Sequence, residues 1–117
     1  MRFALLVAIV EQSLEEKAID VAKANGAGGV TTMTGKGTGL NEKKTFFGLT
    51  YERPESVLLF ILEKRTSVKV MKALRDELEL ERENKGIVMS LPIEHLAGIA
   101  SNQIEAFANR LKEEKEV

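Results

Sequence analysis

The chain has 117 residues, enough for one domain at roughly 150 residues each, and carries 17 Lys plus Arg against 18 Asp plus Glu, a formal net charge of -1. That balance lacks the basic excess of a general nucleic-acid binder. Cys and Trp are absent, His occurs once and aromatics are 5%, which excludes a disulfide framework, a thiol nucleophile and a Cys-type zinc site and leaves no stacking platform for single strands.

Phe3 to Val10 is an unbroken apolar run of eight residues. It is too short to cross a bilayer, and Glu11, Gln12 and Ser13 follow where a leader peptide would place small residues. The run predicts a buried strand, no membrane insertion and a cytoplasmic location. Ser13-Leu14-Glu15-Glu16 predicts a capping box with Ser13 at the N-cap. Helix one then runs to about Ala24, with Leu14, Ala18, Val21 and Ala22 on one stripe. Asn25-Gly26 stops it.

Gly28 to Thr34 predicts strand two, opening into Gly35-Lys36-Gly37-Thr38-Gly39 and a polar loop to about Thr45. Phe46 to Tyr51 extends a hairpin arm, and Arg53-Pro54-Glu55 reads as a break. Val57 to Leu62 is strand three. Thr66 or Ser67 caps helix two, with Val68, Met71, Leu74 and Leu78 inward. The charge run from Glu77 to Lys85 is a solvated turn. Gly86 to Leu91 is strand four, ended by Pro92. A last helix spans about Asn102 to Glu116.

The order β-α-β-β-α-β predicts an α+β, ferredoxin-like fold. It has an antiparallel sheet, two helices on one face and an extra C-terminal helix. No linker divides the chain, so residues 1–117 form one domain, with 100–117 as a helical extension. A single helix layer leaves the other sheet face wet, and its strands should then alternate apolar with polar. They do not. Phe3, Leu5, Val7 and Ile9 share one parity of strand one; Ala4, Leu6, Ala8 and Val10 share the other. Strand three repeats the pattern. Something must cover the second face; the C-terminal helix could cover part of it, and sheet-to-sheet self-association is the stronger candidate.

Gly35-Lys36-Gly37-Thr38-Gly39 is the most informative segment. Its glycines can aim successive N–H groups into one anion-binding concavity, with Lys36 as a nearby cation. It is neither a Walker A loop nor a Rossmann fingerprint. A flexible hairpin tip and a phosphate cradle stand as equal readings. Asn25 to Gly29 reads first as a helix stop and turn. Asn84-Lys85-Gly86 could aim Lys85 at a phosphate or be a plain turn. His95 lacks an oriented partner in the sequence, so general-base catalysis by it is disfavoured. The Glu runs read as solvated helix faces, and Met33, Met71 and Met89 as core.

The β-α-β-β-α-β order, the Gly26-Ala27-Gly28-Gly29 turn, the Gly35-to-Gly39 segment and Gly86 to Ile93 together resemble the P-II signal-transduction superfamily, over about Arg2 to Ile99. More narrowly the chain is similar to divergent P-II-like proteins. The resemblance implies a homotrimer with sheets inside and helices outside. It implies an adenine-nucleotide site between subunits, with AMP, ADP or ATP as effector and no required cofactor or metal. On this chain that site maps to Gly35, Lys36, Gly37, Thr38 and Gly39 on one side and Lys85 and Gly86 on the other. The partner loop maps to Leu40, Asn41, Glu42, Lys43 and Lys44 within residues 37–46, and the implied partner is a membrane transporter or a metabolic enzyme.

The chain departs from that pattern in a shorter loop without a modifiable Tyr, in Thr38-Gly39 where Arg-Gln is usual, and in Ile99 to Asn102 where an Arg-rich segment stands. These departures point to a nucleotide with fewer phosphates or another small anion. The expected function is a non-enzymatic regulator. Its rivals are a docking trimer without nucleotide, a metal- or anion-binding trimer, and an acylphosphatase-type enzyme, which would need an Arg that the Gly segment lacks.

Overall fold

The computed structural model describes residues 2–37, 45–46, 49–50, 53–82 and 85–98. β1 (Phe3–Glu11) leads through a 3-10 turn (Gln12–Leu14) into α1 (Glu15–Ala24). β2 (Thr31–Gly37) follows, then β3 (Thr45–Phe46) and β4 (Leu49–Thr50), which pair with each other. β5 (Arg53–Glu63), α2 (Lys64–Glu77) and β6 (Gly86–Pro92) complete the described fold. The main sheet has the order β2-β5-β1-β6, and all its neighbours are antiparallel. This is the expected ferredoxin-like arrangement. The expected C-terminal helix and the loop residues 38–44 lie outside the described residues.

The core lies between the sheet and the two helices. Ala4, Leu6, Ala8 and Val10 of β1 and Leu58, Phe60 and Leu62 of β5 are buried under Ala18, Ala22, Val70 and Leu74. The other parity of each strand forms the outer face. Register places Met33, Val57, Ile9 and Ile87 in one line across the four strands. Leu59, Val7 and Met89 form the next line, and Ile61, Leu5 and Leu91 the third. At the rim, Met33 is 49% and Ile87 54% exposed, while Leu5, Val7 and Ile9 are half-buried by their own neighbours. This face is apolar, as the strand pattern requires.

Local boundaries differ from the sequence reading in several places, and β2 begins at Thr31 rather than at the expected Gly28. Ser13 does not cap α1, because it sits inside the 3-10 turn and no side-chain bond caps the helix. An N-cap needs extended backbone, and here the turn runs straight into the helix through Leu14 at φ -96° and ψ -1°. Neither Thr66 nor Ser67 caps α2. Glu63 does so, accepting from the Arg65 N–H at 2.8 Å and the Thr66 N–H at 3.3 Å.

The buried stripe of α2 is Ser67, Val70 and Leu74, with the expected Leu78 buried just past its end, while Val68 and Met71 are only half-buried. The Arg53-Pro54-Glu55 segment is not a break but the start of β5, opposite Gly37, Lys36 and Gly35. Pro54 is tolerated because β1 pairing ends at Glu11 opposite Glu55, so no ladder bond is forfeited on that side. Those partners also draw β2 three residues past its expected end at Thr34, to Gly37. Asn25 and Gly26 end α1 as expected, with Asn25 Nδ2 donating to the Val21 carbonyl at 2.8 Å and Gly26 at φ 113°.

Candidate functional site

The anion-binding candidates fall on both edges of the sheet. Gly35, Lys36 and Gly37 occupy the end of β2, one edge strand. Gly86 opens β6, the other edge strand, and Lys85 immediately precedes it. A single line joins the two groups. Gly35 opposes Glu55, Glu55 opposes Glu11, and the Glu11 N–H donates to the Lys85 carbonyl at 3.4 Å. Both groups therefore lie at the same end of the sheet. Three strand spacings separate them within one chain, about 14 Å. Thr38, Gly39 and the partner-loop positions Leu40, Asn41, Glu42, Lys43 and Lys44 lie outside the described residues.

The glycines at the two edges do different work. A Cβ on Gly86 would overlap the Ile9 carbonyl oxygen and crowd the Cα of Val10. Gly86 is thus fixed by the close approach of β6 to β1. A Cβ on Gly35 would meet only Val57 Cγ2, at an ordinary 3.9 Å. Gly35 is also extended in the ladder, since positive φ among described glycines occurs at Gly26 and Gly98. Neither sterics nor backbone conformation demands a glycine at 35. Lys36 is exposed and, by strand alternation, faces the opposite side from Gly35.

Glu11 and Glu55 stand between the two groups on the outer face and are cross-strand partners, both half-buried. Like charges directly opposed on adjacent strands repel. On the helix side, Ser56 is fully buried and its hydroxyl has no hydrogen-bond partner among the described residues. His95 is almost fully exposed, with Nε2 3.7 Å from its neighbour Glu94.

The sequence reading missed a cleft of about 360 Å³ beside Gly86. Met71, Lys72 and Arg75 of α2 form one wall, Leu80 and Glu81 a second, and Gly86, Ile87 and Val88 the third. Arg75 Nε donates to Asp76 Oδ1 at 2.8 Å, and Nη2 to Oδ2 at 3.3 Å. That bond and the Asp76 charge raise the guanidinium pKa further, and the same bond holds the Asp76 carboxyl below its ordinary range. The only sequence signal for the cleft was the Lys72/Arg75 spacing on α2 beside Met71.

No family model matches the chain, and no curated protein matches it. Solved structures do. CPII, a nitrogen regulatory PII-like protein from Thiomonas intermedia K12 bound to ADP, AMP and bicarbonate, superposes with a TM-score of 0.64 at 16% identity, over 85% of this chain and 98% of that one. The chain has the PII-like fold. A putative PII-like signaling protein from Thermus thermophilus superposes at TM-score 0.59 and 18% identity, over 80% of this chain and 87% of that one. A DUF3240 family protein from Shewanella baltica does so at 0.61 and 14%, over 84% and 97%. Among the described residues of this PII-like fold, no helix is long and apolar enough to cross a membrane.

Proposed function

We propose that the chain is a non-enzymatic PII-like regulator that binds an adenine nucleotide in clefts between the subunits of a homotrimer. The observation that carries this reading is the line from Gly35 through Glu55 and Glu11 to Lys85. Its ends lie about 14 Å apart in one chain, too far to hold one phosphate together. A second copy that brings its β2 edge to the β6 edge of the first unites them. Gly35, Lys36 and Gly37 of one subunit, continued by Thr38 and Gly39, then meet Lys85 and Gly86 of the next. Backbone amides and lysines supply the anion-binding groups. The glycine that the fold does not require, Gly35, leaves bare backbone for close approach.

The apolar outer face supports self-association, since a large exposed apolar patch marks an interface. The capture of ADP and AMP by the structural neighbour supports the nucleotide. The nucleotide favours one state of the 37–46 loop and so changes what that loop touches, a transporter or a metabolic enzyme in the cytoplasm. Calorimetry of the full chain with AMP, ADP, ATP and cyclic AMP tests the reading. Saturable heat with at least one is expected; silence with all four removes the effector. The opposed Glu11 and Glu55 carboxylates favour a second reading, a docking trimer without nucleotide. In that case Gly37→Asp leaves partner binding unchanged.

A further inference from the structure

The cleft between α2 and β6 lies on the helix side of the sheet edge and shares only Gly86 with the proposed nucleotide site. We propose that it binds a small organic anion, a carboxylate or phosphate monoester carried on an apolar body. This inference does not rest on the nucleotide reading.

Lys72 and Arg75 stand three residues apart on one face of α2, where side chains are neighbours. Both are exposed and both line the cleft. The bonds from Arg75 to Asp76 occupy Nε and Nη2, and Nη1 takes no part in them. The floor suits an apolar body. Leu80 is buried, and Met71 and Val88 are half-buried. Covering Met71 and Val88 removes apolar surface from water, which favours binding at roughly 25 cal/mol per Å². The volume of about 360 Å³ falls within the range of small-molecule sites.

Among the described residues, Glu81 is the only acidic one of the lining. Its charge acts on Arg75, so an incoming anion competes with it for the same cations. Glu81 thus weakens the site and gives the proposal a signed test that lost packing would not imitate.

Amide shifts of the full chain are followed by NMR during titration with phenyl phosphate, benzoate and benzylamine. Saturable shifts centred on 71–75, 80–81 and 86–88 are expected with one or both anions and not with the amine. The two anion arms tell a phosphate from a carboxylate preference. Lys72→Glu with Arg75→Glu should weaken binding by more than about tenfold, and Glu81→Gln should tighten it severalfold. If the double variant does not fold, Glu81→Gln decides alone. Gly37→Asp, which blocks the proposed nucleotide cradle, should leave these shifts in place. The proposal is overturned by equal shifts with benzylamine, by shifts confined to 35–37, by no saturable shift with either anion, or by a Glu81→Gln variant that binds no more tightly.

Discussion

Ser67 Oγ of α2 lies 2.7 Å from Ser90 Oγ of β6, and Ser67 is fully buried. The pair ties the second helix to the edge strand at a point where both side chains face the same layer. Removing one hydroxyl leaves the other short of a partner in a desolvated place. Ser67→Ala should therefore cost about 1–2 kcal/mol, and Ser67→Ala with Ser90→Ala less than the sum of the two single changes. Urea unfolding of the three variants measures this. Additive costs would mean that the hydroxyls do not act as a pair.

The capping groups make a sharper contrast. Glu63 holds the first amides of α2, whereas Ser13 makes no cap bond to α1. Glu63→Ala should lower stability by about 1 kcal/mol, the usual cost of a lost N-cap. Ser13→Ala should lie within about 0.5 kcal/mol of the parent, as for surface changes away from any special feature. Thermal melts of both variants separate the two cases.

The glycines at the two ends of the candidate site should also part ways. Gly86→Ala drives a methyl into the Ile9 carbonyl and the Val10 backbone, and overpacking of this kind costs about 1–3 kcal/mol. Gly35→Ala meets only Val57 Cγ2, at an ordinary contact distance, and should leave the melting temperature nearly unchanged. If the nucleotide reading holds, Gly35→Ala still weakens the nucleotide, because the methyl occupies the approach to the backbone. Melting curves paired with nucleotide titration read both effects. A Gly35→Ala variant that binds as the parent does would take Gly35 out of the cradle.

Asp76 gives a pH prediction whose sign is fixed by its partner. The Arg75 hydrogen bond holds the folded-state carboxyl below its ordinary value of 3.8. A depressed carboxyl pKa contributes stability above the unfolded value and loses it as pH falls through the folded value. The parent should therefore lose more stability than Asp76→Asn on acidification below about pH 4. Both groups are exposed, so the difference should be small and should shrink in high salt. Melting temperature against pH at two salt concentrations measures it.

The strand pattern carried most of the fold, because alternation and its failure are local facts. Apolar residues on both parities of Phe3–Val10 require two covered faces, and one of those faces is the core beneath Val70 and Leu74. What stayed hidden depends on distant partners. Gly35 to Gly37 look like loop by composition, yet Arg53 to Glu55 pair with them and make them strand. Glu63 is an uncommon cap type, so the Ser and Thr nearby drew the helix start away from it. The Gly86 clash and the Lys72/Arg75 cleft arise only when β6 packs beside β1 and α2. Of the site, the residue types at both edges were legible, but their shared line across the sheet was not.

The outer face supplies the prediction with the largest expected effect. Leu59 and Val7 sit in its middle line and are half-buried only by their neighbours on the same face. A carboxylate placed there stays hydrated in a monomer and costs the fold little. Packed against a second sheet it loses its water without gaining a partner, which costs several kcal/mol. Val7→Glu should therefore dissociate the proposed trimer while leaving far-UV circular dichroism nearly unchanged. Sedimentation velocity of parent and variant gives the answer. A parent that sediments as a monomer removes the need for a cover by other copies. A trimeric Val7→Glu would mean that copies join elsewhere, the sheet edges being the remaining candidates. If Val7→Glu yields a folded monomer that also fails to bind nucleotide, the loss supports a site assembled from neighbouring subunits, because Val7 lies away from the Gly35–Lys85 line.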